Sequence, residues 1–184
     1  GNFLEKEKSE KPLNTFDSGC IYELDSGLAQ RMMGKYNEIF RLDGTSLPVE
    51  GLAKEFFIDK CILIALNTYL RSQPKLDGIR FHMGSYIDRS SQIIIVATSP
   101  VDPPSTYYQH TNRWDLQIPL PANCLPNTAV NINLPESIVR DKINDFGFYF
   151  RGETIYGDRN SANIASLSSS IWMDICVIEK LSST

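Results

Sequence analysis

DGIRFHMGSYIDRSSQIIIVATSP, residues 77–100, reads as a β-hairpin, and the reading of the rest of the chain follows from it. Residues 78–86 alternate. Ile79, Phe81 and Met83 point to one face of a strand, and Arg80, His82 and Gly84 to the other. The second arm carries Ile93, Ile94, Ile95 and Val96 at consecutive positions. A strand that is apolar on both faces is a central strand covered on both sides. Residues 87–90 supply the connection. The pattern therefore leaves one question about Arg80 and His82, same-face neighbours about 7 Å apart: what covers that face?

Two helical segments precede the hairpin. In LDSGLAQRMMGKYNEIF (24–40) Leu28, Met32, Tyr36, Ile39 and Phe40 recur at helical spacing, with Asp25 as the N-cap and Asp43-Gly44 as the stop. Residues 48–70 form one helix or two. Val49, Leu52, Ala53, Phe56 and Phe57 make one apolar stripe, and Asp59 can cap a separate helix that buries CILIAL (61–66). Pro74 lies beyond its end.

Residues 100–135 hold seven of the ten prolines, which excludes a regular helix or a long central strand there. Short extended pieces fit, such as 114–119 with alternating Trp114, Leu116 and Ile118. LPESIVRDKINDF (134–146) reads as a helix with Pro135 at N1 and with Ile138, Val139, Ile143 and Phe146 inward. Residues 148–150 and 154–156 are expected as strands, 160–170 as a loop and 171–179 as the last strand. Residues 1–15 are polar and charged and are expected as a flexible leader. That leaves 16–184 as a single α+β domain: N-terminal helices packed on a mixed or antiparallel sheet, with a proline-rich irregular middle segment.

Across residues 24–99, two helical segments lead into a strand with Gly78, Ile79, Arg80, Phe81, Gly84 and Tyr86, then an apolar partner strand. This order resembles a group of small, uncharacterised bacterial α+β proteins with a GIR(F/Y)xxGxY hairpin. The resemblance covers under half the chain. It implies the architecture and carries no activity.

Composition narrows the function classes. The formal charge is −4, and the one dense charge cluster, EKEKSEK (5–11), alternates in sign. Neither suits a phosphate-neutralising surface, so nucleic acid is not an expected partner. The longest apolar run, CILIAL, is far short of the roughly 20 residues of a membrane span. Compartment stays open between the cytoplasm and export with a signal removed. The four cysteines are far apart and have no CxxC spacing, which speaks against zinc. Cys61 and Cys176 lie in apolar runs and are expected to pack as small hydrophobes. A Cys20–Cys124 disulfide is possible in an exported protein.

No motif fixes a chemistry. Asp17-Ser18-Gly19 and Asp25-Ser26-Gly27 repeat the tripeptide of aspartic proteases, but helix capping explains Asp25. RGETIYGDRNSAN (151–163) makes neither GxGxxG nor a P-loop, so no cofactor is expected. Two histidines 28 positions apart give no metal spacing, and no GxSxG elbow appears. Cys124 has no catalytic context. The candidate ligand-binding residues are Arg80 and His82 on the hairpin, and Tyr107, Tyr108, His110, Arg113 and Trp114 in the proline-rich loop. Arg80 can clamp an anion and His82 can trade protons. Tyrosine, tryptophan and arginine are enriched at binding hot spots. The expected function is a non-catalytic binding or interaction module for a protein or small-molecule ligand. The alternative is a small hydrolase-like enzyme using His82 with Arg80, or His110.

Overall fold

The computed structural model describes residues 14–15, 22–41, 55–86, 90–103, 109–124, 129–150 and 170–183. The chain is an α+β protein. In order, the described elements are β1 (Asn14–Thr15), β2 (Tyr22–Glu23), α1 (Ser26–Arg41), α2 (Lys60–Ser72), β3 (Gly78–Ser85), β4 (Ser91–Pro100), β5 (His110–Asn112), β6 (Val130–Ile132), α3 (Glu136–Phe150), β7 (Ser170–Asp174) and α4 (Ile175–Ser182). Asn14–Thr15, at the end of the expected leader, pairs with β2. The stretches 1–13, 151–163 and 42–54 lie outside the described residues, as do Asp17-Ser18-Gly19 and 154–156.

The hairpin anchors the sheet. β3 and β4 pair antiparallel from Gly78↔Thr98 to Ser85↔Ser91. Across the sheet the order is β5-β4-β3-β7, and β6 pairs with β4 in parallel, Ile93↔Val130 to Ile95↔Ile132. The sheet is therefore mixed, with a single parallel pair among the described residues. β5 and β6 share one side of β4, which each borders over three residues.

Both faces of β4 are covered, as its apolar run requires. On the first face Ile79, Phe81, Ile93, Ile95 and Ala97 meet Ile62, Leu66 and Leu70 of α2 and Ile178 of α4. Leu66 and Ile178 are fully buried. Each such side chain contributes roughly 1.5–3 kcal/mol of burial. On the second face Ile94 and Val96 meet Val139 of α3, together with Trp114, Leu134 and Ile143. The helix approaches closely at Gly84, where a Cβ would lie 2.8 Å from Ile94 Cδ1 and 3.2 Å from Lys142 Cβ.

Several expectations are corrected. α2 begins only at Lys60, where the Asp59 carboxylate accepts from the Cys61 amide at 2.7 Å. Residues 55–59 are not helical, and Phe57 is 68% exposed, so the stripe through Phe56 and Phe57 does not continue as helix. Residues 148–150 continue α3 rather than forming a strand, and Ile138 faces outward. Trp114, Leu116 and Ile118 belong to no strand: 114–115 is a turn. Ile118 is held instead by the Asn133 side chain, which bonds its N–H and its carbonyl at 2.7 Å each.

The expected last strand 171–179 splits in two. Asp174 accepts from the Cys176 amide at 2.8 Å and starts α4, because Ile175 and Ile178 at helical spacing reach the core beside α2. The cysteines also differ. Cys61 and Cys124 form a disulfide with Cα atoms 5.4 Å apart, which overturns a Cys20–Cys124 pairing. Cys176 is disulfide-bonded too, so neither it nor Cys61 is a thiol packed as a hydrophobe.

Candidate functional site

Strand register assembles the site. On the second face, Gly78, Arg80 and His82 of β3 line up with Thr98, Val96 and Ile94 of β4. Trp172 of β7 stands opposite Arg80. Asn112 and His110 of β5 stand opposite Thr98 and Pro100. Alternation along β5 then places His110 and Asn112 on this face, where Trp114, beyond the strand, packs on Ile94 and Val96.

Arg80 and both histidines are thereby joined through β5. Arg80 Nη1 donates to Asn112 Oδ1 at 2.6 Å and Nη2 to the His110 carbonyl at 3.0 Å. Arginine only donates, so the Asn112 oxygen must face it, and the amide nitrogen is left to donate to His82 Nε2, 3.0 Å away. His82 is therefore a neutral imidazole with its proton on Nδ1. Burial, and then the charge of Arg80, push its pKa down to about 4. Trp114 stacks on it with ring centres 6.0 Å apart and planes 20° apart. The void beside Trp114, lined by Val96, Leu134 and Val139 among others, is about 20 Å³. That is room for about one water, not for a ligand.

His110 has a different environment. Its Nδ1 lies 2.6 Å from Asp77 Oδ2, with the side chains 23% and 19% exposed. The other Asp77 oxygen accepts from the Thr98 hydroxyl at 2.6 Å, and that hydroxyl accepts from Trp172 Nε1 at 2.9 Å. The His110 ring lies on Trp172, with centres 3.7 Å and planes 10° apart. Alternation would assign Asp77 to the Ile79 face. The strand begins at Gly78, so Asp77 escapes that rule and turns its carboxylate to the second face.

Gly78 makes the Trp172 placement possible. A Cβ there would meet the Met173 carbonyl and would stand 3.0 Å from the indole. The tryptophan can thus reach across β3 to Thr98 on β4.

Arg113 lies apart from this cluster. Its guanidinium is bidentate on Asp115, at 3.0 and 2.9 Å. It borders an open groove of about 260 Å³ with Gln73, Pro74, Lys75, Leu76 and Leu116. Tyr107 and Tyr108 lie outside the described residues. Asp77, Thr98, Asn112 and Trp172 were not singled out from sequence. Asn112 carried the one readable signal, its two-residue spacing from both His110 and Trp114. Among the described residues no cluster of His, Cys, Asp or Glu could hold a metal ion. No described helix is long and apolar enough to cross a membrane.

Comparison with protein families, curated proteins and solved structures finds no match to this chain.

Proposed function

We propose that this chain is a non-catalytic binding module whose ligand meets the partly buried corner formed by Arg80, His110 and Trp172. The supporting observation is how the polar groups are spent. Asp77 serves Thr98 and His110, Asn112 serves Arg80 and His82, and the His82 acceptor nitrogen is occupied. Groups committed to one another in this way build a fixed platform rather than a set poised on a reacting atom. The net charge of −4 argues for a small-molecule or protein ligand over nucleic acid.

One observation favours the hydrolase-like alternative and narrows it to His110. An Asp–His pair is how a carboxylate orients an imidazole for acid–base work. Screening the purified protein against a small-molecule library by thermal shift, and against generic ester, phosphoester and glycoside substrates, separates the two. Ligands whose stabilisation is lost in Trp172→Phe, with no turnover, support the binding reading. Turnover abolished in His110→Gln overturns it.

The disulfides bear on compartment. Structural disulfides persist in oxidising environments and are rare in the reducing cytosol. Cys61–Cys124 and the bonded Cys176 therefore favour an exported protein over a cytoplasmic one. Protein isolated from its native cells should show no free thiol at Cys61 or Cys124 by mass spectrometry after alkylation; alkylated cysteines there would refute export.

A further inference from the structure

Arg71, Arg113 and Arg140 each sit on a carboxylate, those of Glu179, Asp115 and Glu136. Arg80 does not. Its two partners, the Asn112 amide oxygen and the His110 carbonyl, are both neutral. Two of its five N–H donors are used, so three are left, enough for a bidentate pair with an incoming acceptor. Asp77, the carboxylate whose charge acts on Arg80, already has one oxygen on Thr98 and the other on His110. We propose that Arg80 is the anchor for the carboxylate of a ligand whose flat body lies against the neighbouring His110–Trp172 pair.

The chemistry of the surroundings selects the ligand class. A partly buried cation without a contacting anion is costly, and burial does lower the Arg80 pKa. A single incoming negative charge offsets that cost. The pull of Arg80 and the repulsion of Asp77 both scale with ligand charge, so what disfavours phosphate is that it has no flat body to lie on the His110–Trp172 pair. The planar fork of arginine matches the two oxygens of a carboxylate. Trp172 stands opposite Arg80 across the β3–β7 pair, and His110 is stacked on it, so flat apolar surface adjoins the guanidinium.

This inference rests on the binding reading and is tested separately from it. The disulfide-intact protein is titrated with benzoate, benzamide and inorganic phosphate at constant ionic strength. The Arg80 Nε–H resonance and tryptophan emission are followed. The proposal expects saturable binding of benzoate with a dissociation constant of about millimolar, as befits a ligand of that size. Arg80→Gln should weaken it at least about tenfold, the scale of a charge-assisted bond. Benzamide and phosphate should not saturate. Should Arg80→Gln not fold, the wild-type Arg80 Nε–H signal decides: it must move with benzoate. The proposal is overturned if benzamide binds as well as benzoate, if phosphate binds more tightly, or if no probe saturates. Benzamide moving the Trp172 signals without Arg80 would remove the carboxylate and keep the site; substrate turnover lost in His110→Gln would remove the binding reading and leave the Arg80 contact standing.

Discussion

His110 and Trp172 lie face to face at 3.7 Å although they stand on the two outer strands β5 and β7, with β4 and β3 between them. Two tethers make this possible. The indole crosses above Gly78 and donates to Thr98, while Asp77 draws the imidazole inward from β5. The contact ties both edges of the sheet to the beginning of β3.

Gly78 should tolerate no side chain. In Gly78→Ala the new Cβ meets the Met173 backbone, which cannot swing aside, and the Trp172 ring. A loss of about 1–3 kcal/mol is expected, in the range of overpacked sites. Urea unfolding measures it. The red shift of Trp172 emission expected from a displaced indole is read in a Trp114→Phe background. An alanine variant as stable as the parent would show that the indole does not need this gap.

Stability should fall on acidification because of His82. The folded imidazole stays neutral down to about pH 4, whereas the unfolded one protonates near its ordinary value of 6.5. Below about pH 6.5 the unfolded chain thus binds a proton that the fold refuses. The loss grows as pH falls and levels off near pH 4, at up to roughly 3 kcal/mol. His82→Gln keeps an acceptor for Asn112 without titrating. The difference in urea midpoint between parent and variant should therefore change across this window, and a constant difference would count against the neutral His82.

Asn112→Asp should reverse that titration. A carboxylate at 112 would face Arg80 with one oxygen and His82 with the other, where the amide now donates. His82 must then supply the proton itself, and an adjacent negative charge favours its charged form. Imidazole NMR titration should place the His82 pKa well above about 4. An unchanged value would mean that Asn112 does not bridge the two side chains in solution.

Removing the Cys61–Cys124 bond should destabilise the fold markedly. It closes a loop with a sequence separation of 63, which constrains the unfolded chain by about 4 kcal/mol on the loop-entropy model. The double alanine variant should show that loss by chemical denaturation, with native-like circular dichroism in the absence of denaturant. A loss below about 1 kcal/mol would show that the loop is already restrained without the bond.

The sequence by itself determined the centre of the fold. Consecutive Ile93–Val96 required a strand covered twice, Ile79–Phe81–Met83 set the inward face of its partner, and Asp25 and Asp59 marked where helices start. These are local signals: side-chain periodicity and the capping of neighbouring amides are written within a few residues. The apolar run of 171–179 suits a strand and a helix alike, and only the Asp174 cap and the space beside α2 choose between them. The alternation that put Arg80 and His82 on one face did not show that His110, Asn112 and Trp114 would meet them there. That depended on β5 pairing with the far end of β4 and on Trp172 crossing from β7. Tertiary structure alone decided that Asp77 belongs with His110, that Arg80 rests on neutral groups, and that Arg113 sits elsewhere. Those relationships join residues up to 95 positions apart, Asp77 to Trp172, and no short-range pattern records them.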